Sequence, residues 1–175
     1  MQKTFLSLLF TLAITTGFSQ TEKKTWMLGG SASYSSTQEG SIHNSILDIS
    51  PRIGFFIMKN LSVGAALNIN TTVDDGTNTS VFSFSPFARY YFLPLGKHAK
   101  LFGEAAGIFG NEDEGAGKSS LVGWSVKAGP AFFLNNHIAF ETSVGYNSTK
   151  AGIETVKDNT IVVAVGLQIH IRRKS

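Results

Sequence analysis

The sequence predicts an all-β protein: an eight-stranded antiparallel up-and-down β-barrel that crosses a membrane with its strands. Three observations predict it. First, eight stretches of about ten residues alternate in chemistry with period two, the signature of strands, at a length that spans a bilayer when tilted. Second, large aliphatic and aromatic residues occupy one face, and the other is rich in Gly, Ala and Ser, which suit a narrow barrel interior. Third, mean hydropathy is +0.07 with only 15% charged residues. Yet beyond the N-terminus no apolar run approaches the roughly 20 residues a transmembrane helix needs.

The chain opens with an export signal. Lys3 is its positive end, Phe5 to Ile14 a short apolar run, and Gly17 and Ser19 the small residues of a cleavage site before Gln20. Residues 1–19 are therefore expected to be a secretory signal peptide, and 20–175 the barrel domain. The first strand, Trp26 to Ser35, is rich in Gly and Ser. The second sets Leu47, Ile49, Ile53, Phe55 and Ile57 against Asp48, Ser50, Arg52, Gly54 and Phe56. The third sets Leu61, Val63, Leu67 and Ile69 against Ser62, Gly64, Asn68 and Asn70. The fourth sets Phe82, Phe84, Tyr90 and Phe92 against Ser83, Ser85, Phe87, Arg89 and Tyr91. The fifth, Lys100 to Gly110, alternates weakly, and Glu104 marks its polar face. The sixth sets Val122, Trp124, Val126 and Phe132 against Ser125, Lys127 and Gly129. The seventh sets Ile138, Phe140, Val144 and Tyr146 against Ala139, Glu141 and Ser143. The eighth, Thr160 to Ile171, alternates most cleanly. Pro51, Pro86 and Pro130 each remove a ladder donor and are expected at local bulges or breaks. Aromatic residues fall near both ends of the lipid face, as in interfacial girdles: Trp26, Phe55, Tyr90, Phe92 and Phe132 at one end, Tyr34, Phe82, Phe109, Trp124 and Tyr146 at the other.

The connections alternate in length. Met58 to Asn60, Leu93 to His98, and Asn135 with Asn136 are short; Ser36 to His43, Asp74 to Thr79, Asn111 to Ser119 and Lys150 to Asn159 are mostly longer. Membrane barrels of the outer membrane have short periplasmic turns and longer external loops, so both termini are expected in the periplasm. The longer connections carry a surplus of five negative charges, and the opposite rim a surplus of seven positive ones. The rim cations suit anionic phospholipid head groups or plain solvation. They are scattered and accompany no binding motif, so no nucleic-acid partner is expected. There are no cysteines, which excludes disulfides, thiolate metal sites, a cysteine nucleophile and a lipoprotein anchor.

Three stretches resemble small eight-stranded outer-membrane β-barrels of the OmpX and OmpA kind: SPRIGFFIMKNL from Ser50, SPFARYYF from Ser85, and the end of the chain from Gly166 to Ile171. The resemblance implies a Gram-negative outer-membrane location, contact with outer-membrane lipids and lipopolysaccharide, and a monomer. It also implies an assembly signal at Gly166, Ile169 and Ile171 for the barrel-assembly machinery. The usual final aromatic is missing, and the chain continues through Arg172 to Ser175.

The alternation places six charges inside: Asp48, Glu104 and Glu141 against Arg52, Arg89 and Lys127, a sum of zero. Buried charges are costly unless paired, and eight strands leave an interior just wide enough for side chains. A structural charge network plugging the barrel is expected; the alternative is a narrow ion path gated by its rearrangement. No cofactor is expected. His43 and Ser45 are the nearest approach to a lipid-hydrolase pair, with Glu39 the only acid nearby in sequence, so no enzymatic activity is expected. His98, His137 and His170 have no zinc-ligand spacing. Asp74, Asp75, Glu112, Asp113 and Glu114 offer hard oxygen ligands, a weak case for Ca²⁺ or Mg²⁺ bridging to lipopolysaccharide. A soluble lipocalin-like barrel is the rival fold, and it requires the apolar face to point inward.

Overall fold

A strand that is apolar on one face only must turn that face away from water, and a closed barrel leaves no unpaired edge while doing so. The computed structural model describes residues 21–39, 42–74, 77–113, 118–151 and 158–172. They form eight strands: β1 (Thr25–Glu39), β2 (Ile42–Met58), β3 (Leu61–Asp74), β4 (Thr77–Pro94), β5 (Ala99–Asp113), β6 (Lys118–Phe133), β7 (Ile138–Ala151) and β8 (Asp158–Arg172). Each pairs antiparallel with its sequence neighbour, and β8 closes on β1. Thr25 pairs with Arg172, so both ends of the described chain lie at one rim. That rim also holds the turns at residues 59–60, 95–98 and 134–137 and is called the turn end; the opposite rim is the loop end.

The apolar face points outward. Trp26, Ile49, Phe84, Trp124 and Leu167 are exposed around the whole circumference, and Ile161 reaches 75% exposure. Apolar surface costs about 25 cal/mol per Å² in water, so a continuous belt of this kind fits lipid chains and removes the lipocalin-like alternative. The girdle aromatics at the turn end lie on this outward surface, where Trp26 packs on Phe55 with ring centroids 5.0 Å apart. At the loop end Trp124 meets Tyr146 at 5.7 Å. The Tyr34 side chain lies outside the described ones.

The strands are longer than the alternation suggests, at 14 to 18 residues. The added residues lie mainly at the loop end and are polar, such as Thr37, Gln38 and Glu39 on β1 and Asn111 to Asp113 on β5. Only residues 40–41, 75–76, 114–117 and 152–157 separate the strands there, so the expected contrast in connection length shrinks. Where both faces of a ladder meet water, backbone pairing continues without an alternating side-chain pattern to announce it.

The prolines break the ladder without bulging it. Pro51 stays opposite Gly30, Pro86 opposite Ala65, and Pro130 opposite Leu101. On the other side, residues 50–51, 85–86 and 129–130 drop out of pairing with β3, β5 and β7, and the register resumes unshifted. The register shifts occur elsewhere, at Phe56/Met58 and Tyr91/Leu93 near the turn end.

Candidate functional site

The interior is stratified along the barrel axis. Toward the loop end lies a vestibule of about 840 Å³, lined by small polar side chains such as Ser33, Ser125, Asn147 and Thr149. Within it Asn68 donates to Ser83 and Ser85 at 3.0 and 2.7 Å, and Ser50 donates to Asp48 at 2.9 Å.

Below the vestibule stands an ion network. Arg89 and Glu104 are direct cross-strand partners, as are Glu104 and Lys127. Arg89 Nε donates to Glu104 Oε2 at 2.7 Å, and Lys127 Nζ lies 3.0 Å from Glu104 Oε1. Two contacts cross the barrel. Arg52 reaches Glu104 Oε2 at 2.8 Å, and Arg89 Nη1 reaches both Glu141 oxygens at 2.7 and 2.8 Å. The Tyr91 hydroxyl donates to Glu141 at 3.2 Å. Rings flank the guanidinium groups: Arg89 lies 4.1 Å from the Phe102 centroid and Arg52 5.1 Å from that of Phe87. The structure thus brings together Arg52, Arg89, Glu104, Lys127 and Glu141. Asp48 stands apart, joined to Ser50. Beside the network a void of about 10 Å³, the size for one water molecule, is lined by Arg52, Ser143 and Gln168. Among the described residues, Arg52 Nε and Gln168 Oε1 have no hydrogen-bond partner.

The third layer is an aromatic septum that the alternation did not single out. Phe56, Tyr91, Phe102, Phe133 and Met27 are all at most 3% exposed. Tyr91 lies 5.9 Å from both Phe56 and Phe102 and 6.5 Å from Phe133. His170 completes a ring of rings, 5.7 Å from Phe56 and from Phe133. Strand parity was the available signal, because Phe56, Phe87, Tyr91 and Phe102 share the inward positions of Arg52, Arg89 and Glu104.

A latch closes the turn end. Thr21 is fully buried, and its carbonyl accepts from Asn60 N at 2.8 Å. Lys100 Nζ donates to Thr21 Oγ1 at 2.7 Å and to Asn60 Oδ1 at 2.9 Å. Lys24, whose φ is +68°, donates its N–H to Phe56 O at 2.9 Å. The double variant Thr21→Val with Asn60→Gly removes these two side-chain acceptors, and glycine keeps the left-handed backbone of Asn60 (φ +65°). Its Lys100 amine is expected to react about ten-fold faster with a water-soluble acylating reagent, read by peptide mass spectrometry. An unchanged rate would mean that these contacts do not shield the amine.

Of the assembly-signal positions, Gly166 pairs with Ser31 and Glu141, and Ile169 and Ile171 point outward and are exposed. His43 and Ser45 fall on β2, but their side chains lie outside the described ones. The same holds for Asp74, Glu112 and Asp113, and Asp75 and Glu114 lie outside the described residues altogether. Among the described residues, no group of three or more His, Cys, Asp or Glu could hold a metal ion.

The closed eight-strand barrel superimposes on solved structures. OprG of Pseudomonas aeruginosa, an outer membrane protein, matches with a TM-score of 0.57 at 13% identity, over 88% of this chain and 98% of that one. The fold is that of a small outer-membrane β-barrel. The N-terminal β-barrel domain of Pseudomonas aeruginosa OprF matches this barrel with a TM-score of 0.55 at 14% identity, over 85% and 98% of the two chains. Neisserial surface protein A does so at 0.55 and 15%, over 83% and 94%. No protein-family model matches the barrel sequence, and no curated protein does.

Proposed function

We propose that this chain is an integral outer-membrane barrel, closed to solutes, with a structural or surface-interaction role in the envelope. One observation carries the closed state: the septum of Phe56, Tyr91, Phe102 and Phe133, sealed from above by the Arg89 network. Ions crossing an apolar layer of this kind face a severe desolvation penalty. In this reading residues 1–19 leave on export and both termini face the periplasm, at the rim where Thr25 meets Arg172. The assembly machinery reads Gly166, Ile169 and Ile171. The loop end faces outward toward lipopolysaccharide, and its acidic residues are the candidates for Ca²⁺ or Mg²⁺ contact. The protein acts as a monomer and without enzymatic chemistry.

The test is single-channel recording of refolded protein in a planar bilayer, after heat-shifted gel mobility has confirmed folding. A silent bilayer is expected, and a Phe56→Ala, Phe102→Ala double variant is expected to gain conductance. Discrete, reproducible steps from the unaltered barrel would overturn the closed reading and make solute passage the function.

A further inference from the structure

We propose that the vestibule floor is a binding site for a small carboxylate, held between Lys127 and Arg52. The charges there do not balance locally. Among the described residues, Arg52, Arg89 and Lys127 pair only with Glu104 and Glu141. Asp48, which brings the interior to zero, lies four residues from Arg52 along β2, about 13 Å at the rise of a strand. Among the described residues it accepts from Ser50 and contacts no cation.

The hydrogen-bond count runs the same way. Glu104 already receives three cationic side chains, and both Glu141 oxygens are taken by Arg89, with Tyr91 added. Donors are left over. A lysine ammonium carries three, and Lys127 directs one to Glu104 Oε1. Its side chain is 21% exposed, the most accessible of the network, and it lines the vestibule. Arg52 lines the same cavity, its Nε has no hydrogen-bond partner among the described residues, and its side chain is 3% exposed. Ser31, Ser125 and Ser143 add hydroxyl groups to the same walls.

The complement of a cationic surplus with spare donors is an anion that only accepts. A cation would be repelled, and a neutral guest would leave the charge uncompensated. A carboxylate offers two acceptor oxygens to two separate donors, which a halide cannot. The vestibule leaves room for an organic body behind the carboxylate. The site stands whether or not the barrel conducts.

The experiment uses isotope-labelled full barrel in detergent micelles, with sodium acetate replacing sodium chloride at constant sodium concentration. The Lys127 ammonium and Arg52 Nε–H resonances are expected to shift saturably, with half-saturation on the order of millimolar. Lys127→Met is expected to abolish the response. Asp48→Asn, which removes the nearest further negative charge and leaves every ion pair intact, is expected to tighten binding about two-fold. The second variant decides the matter if the first does not fold. Absence of a saturable shift up to about 0.1 M acetate, or weaker binding in Asp48→Asn, would overturn the proposal. A response to chloride as strong as to acetate would overturn the carboxylate assignment.

Discussion

Arg89→Ala is expected to cost about 3–5 kcal/mol of folding stability, the range for breaking a buried ion pair by removing one partner. The guanidinium is 1% exposed and bridges two carboxylates on different strands, Glu104 on β5 and Glu141 on β7. Its loss affects them unequally. Among the described residues, Glu104 keeps Arg52 and Lys127, whereas Glu141 keeps only the Tyr91 hydroxyl. An uncompensated charge is then left buried, because Glu141 is only 4% exposed. Urea unfolding in lipid, followed by heat-dependent gel mobility, measures the loss. A second-site change identifies the cause: Arg89→Met with Glu141→Gln is expected to recover a substantial part of it, because the stranded carboxylate is gone. A loss below about 1 kcal/mol for Arg89→Ala would assign the network no more weight than a surface ion pair.

Gly64→Ala is expected to be more damaging still, leaving little or no heat-modifiable barrel. A Cβ at this position falls onto the Ile53 carbonyl oxygen, 2.6 Å from Gly54 Cα and 2.7 Å from the Phe87 ring. Two of these are backbone atoms fixed by the β2–β3 ladder, so the strands themselves must part. Overpacking typically costs 1–3 kcal/mol where side chains can yield; here they cannot, and the cost should exceed about 4 kcal/mol. Gly103→Ala is the control. Its nearest neighbour is the Phe92 ring at 3.6 Å, an ordinary contact, so the folded fraction should be unchanged. Equal yields of the two variants would refute the argument from close strand approach.

Strand number, facing and order were legible because lipid outside and a cramped interior impose opposite chemistries on alternate residues. Parity alone puts Arg52, Arg89, Glu104, Lys127 and Glu141 on the inward face. It does not reveal who meets whom, since Arg52–Glu104 and Arg89–Glu141 are each 52 residues apart and reach across the barrel. Asp48 shares their parity but sits a full turn of pleats higher, out of their reach. The septum was hidden by chemistry. An aromatic residue suits lipid as well as core, so Phe56 and Tyr91 do not announce an interior layer. Strand ends were hidden because the ladder there runs on in polar sequence.

The three interrupted seams divide the wall unevenly. Continuous pairing joins β1 to β2, β3 to β4, and β5 to β6, and the gaps at Pro51, Pro86 and Pro130 fall between these pairs and the next strand. The last pair, β7 with β8, is unbroken, and β8 meets β1 over the shortest ladder of all. The wall is thus a cask of four double staves, each a hairpin complete in itself, with the joints between staves the weaker element. Each hairpin therefore satisfies the hydrogen bonds along its own seam, and the barrel's closure rests on the interrupted joints and the brief β8–β1 ladder.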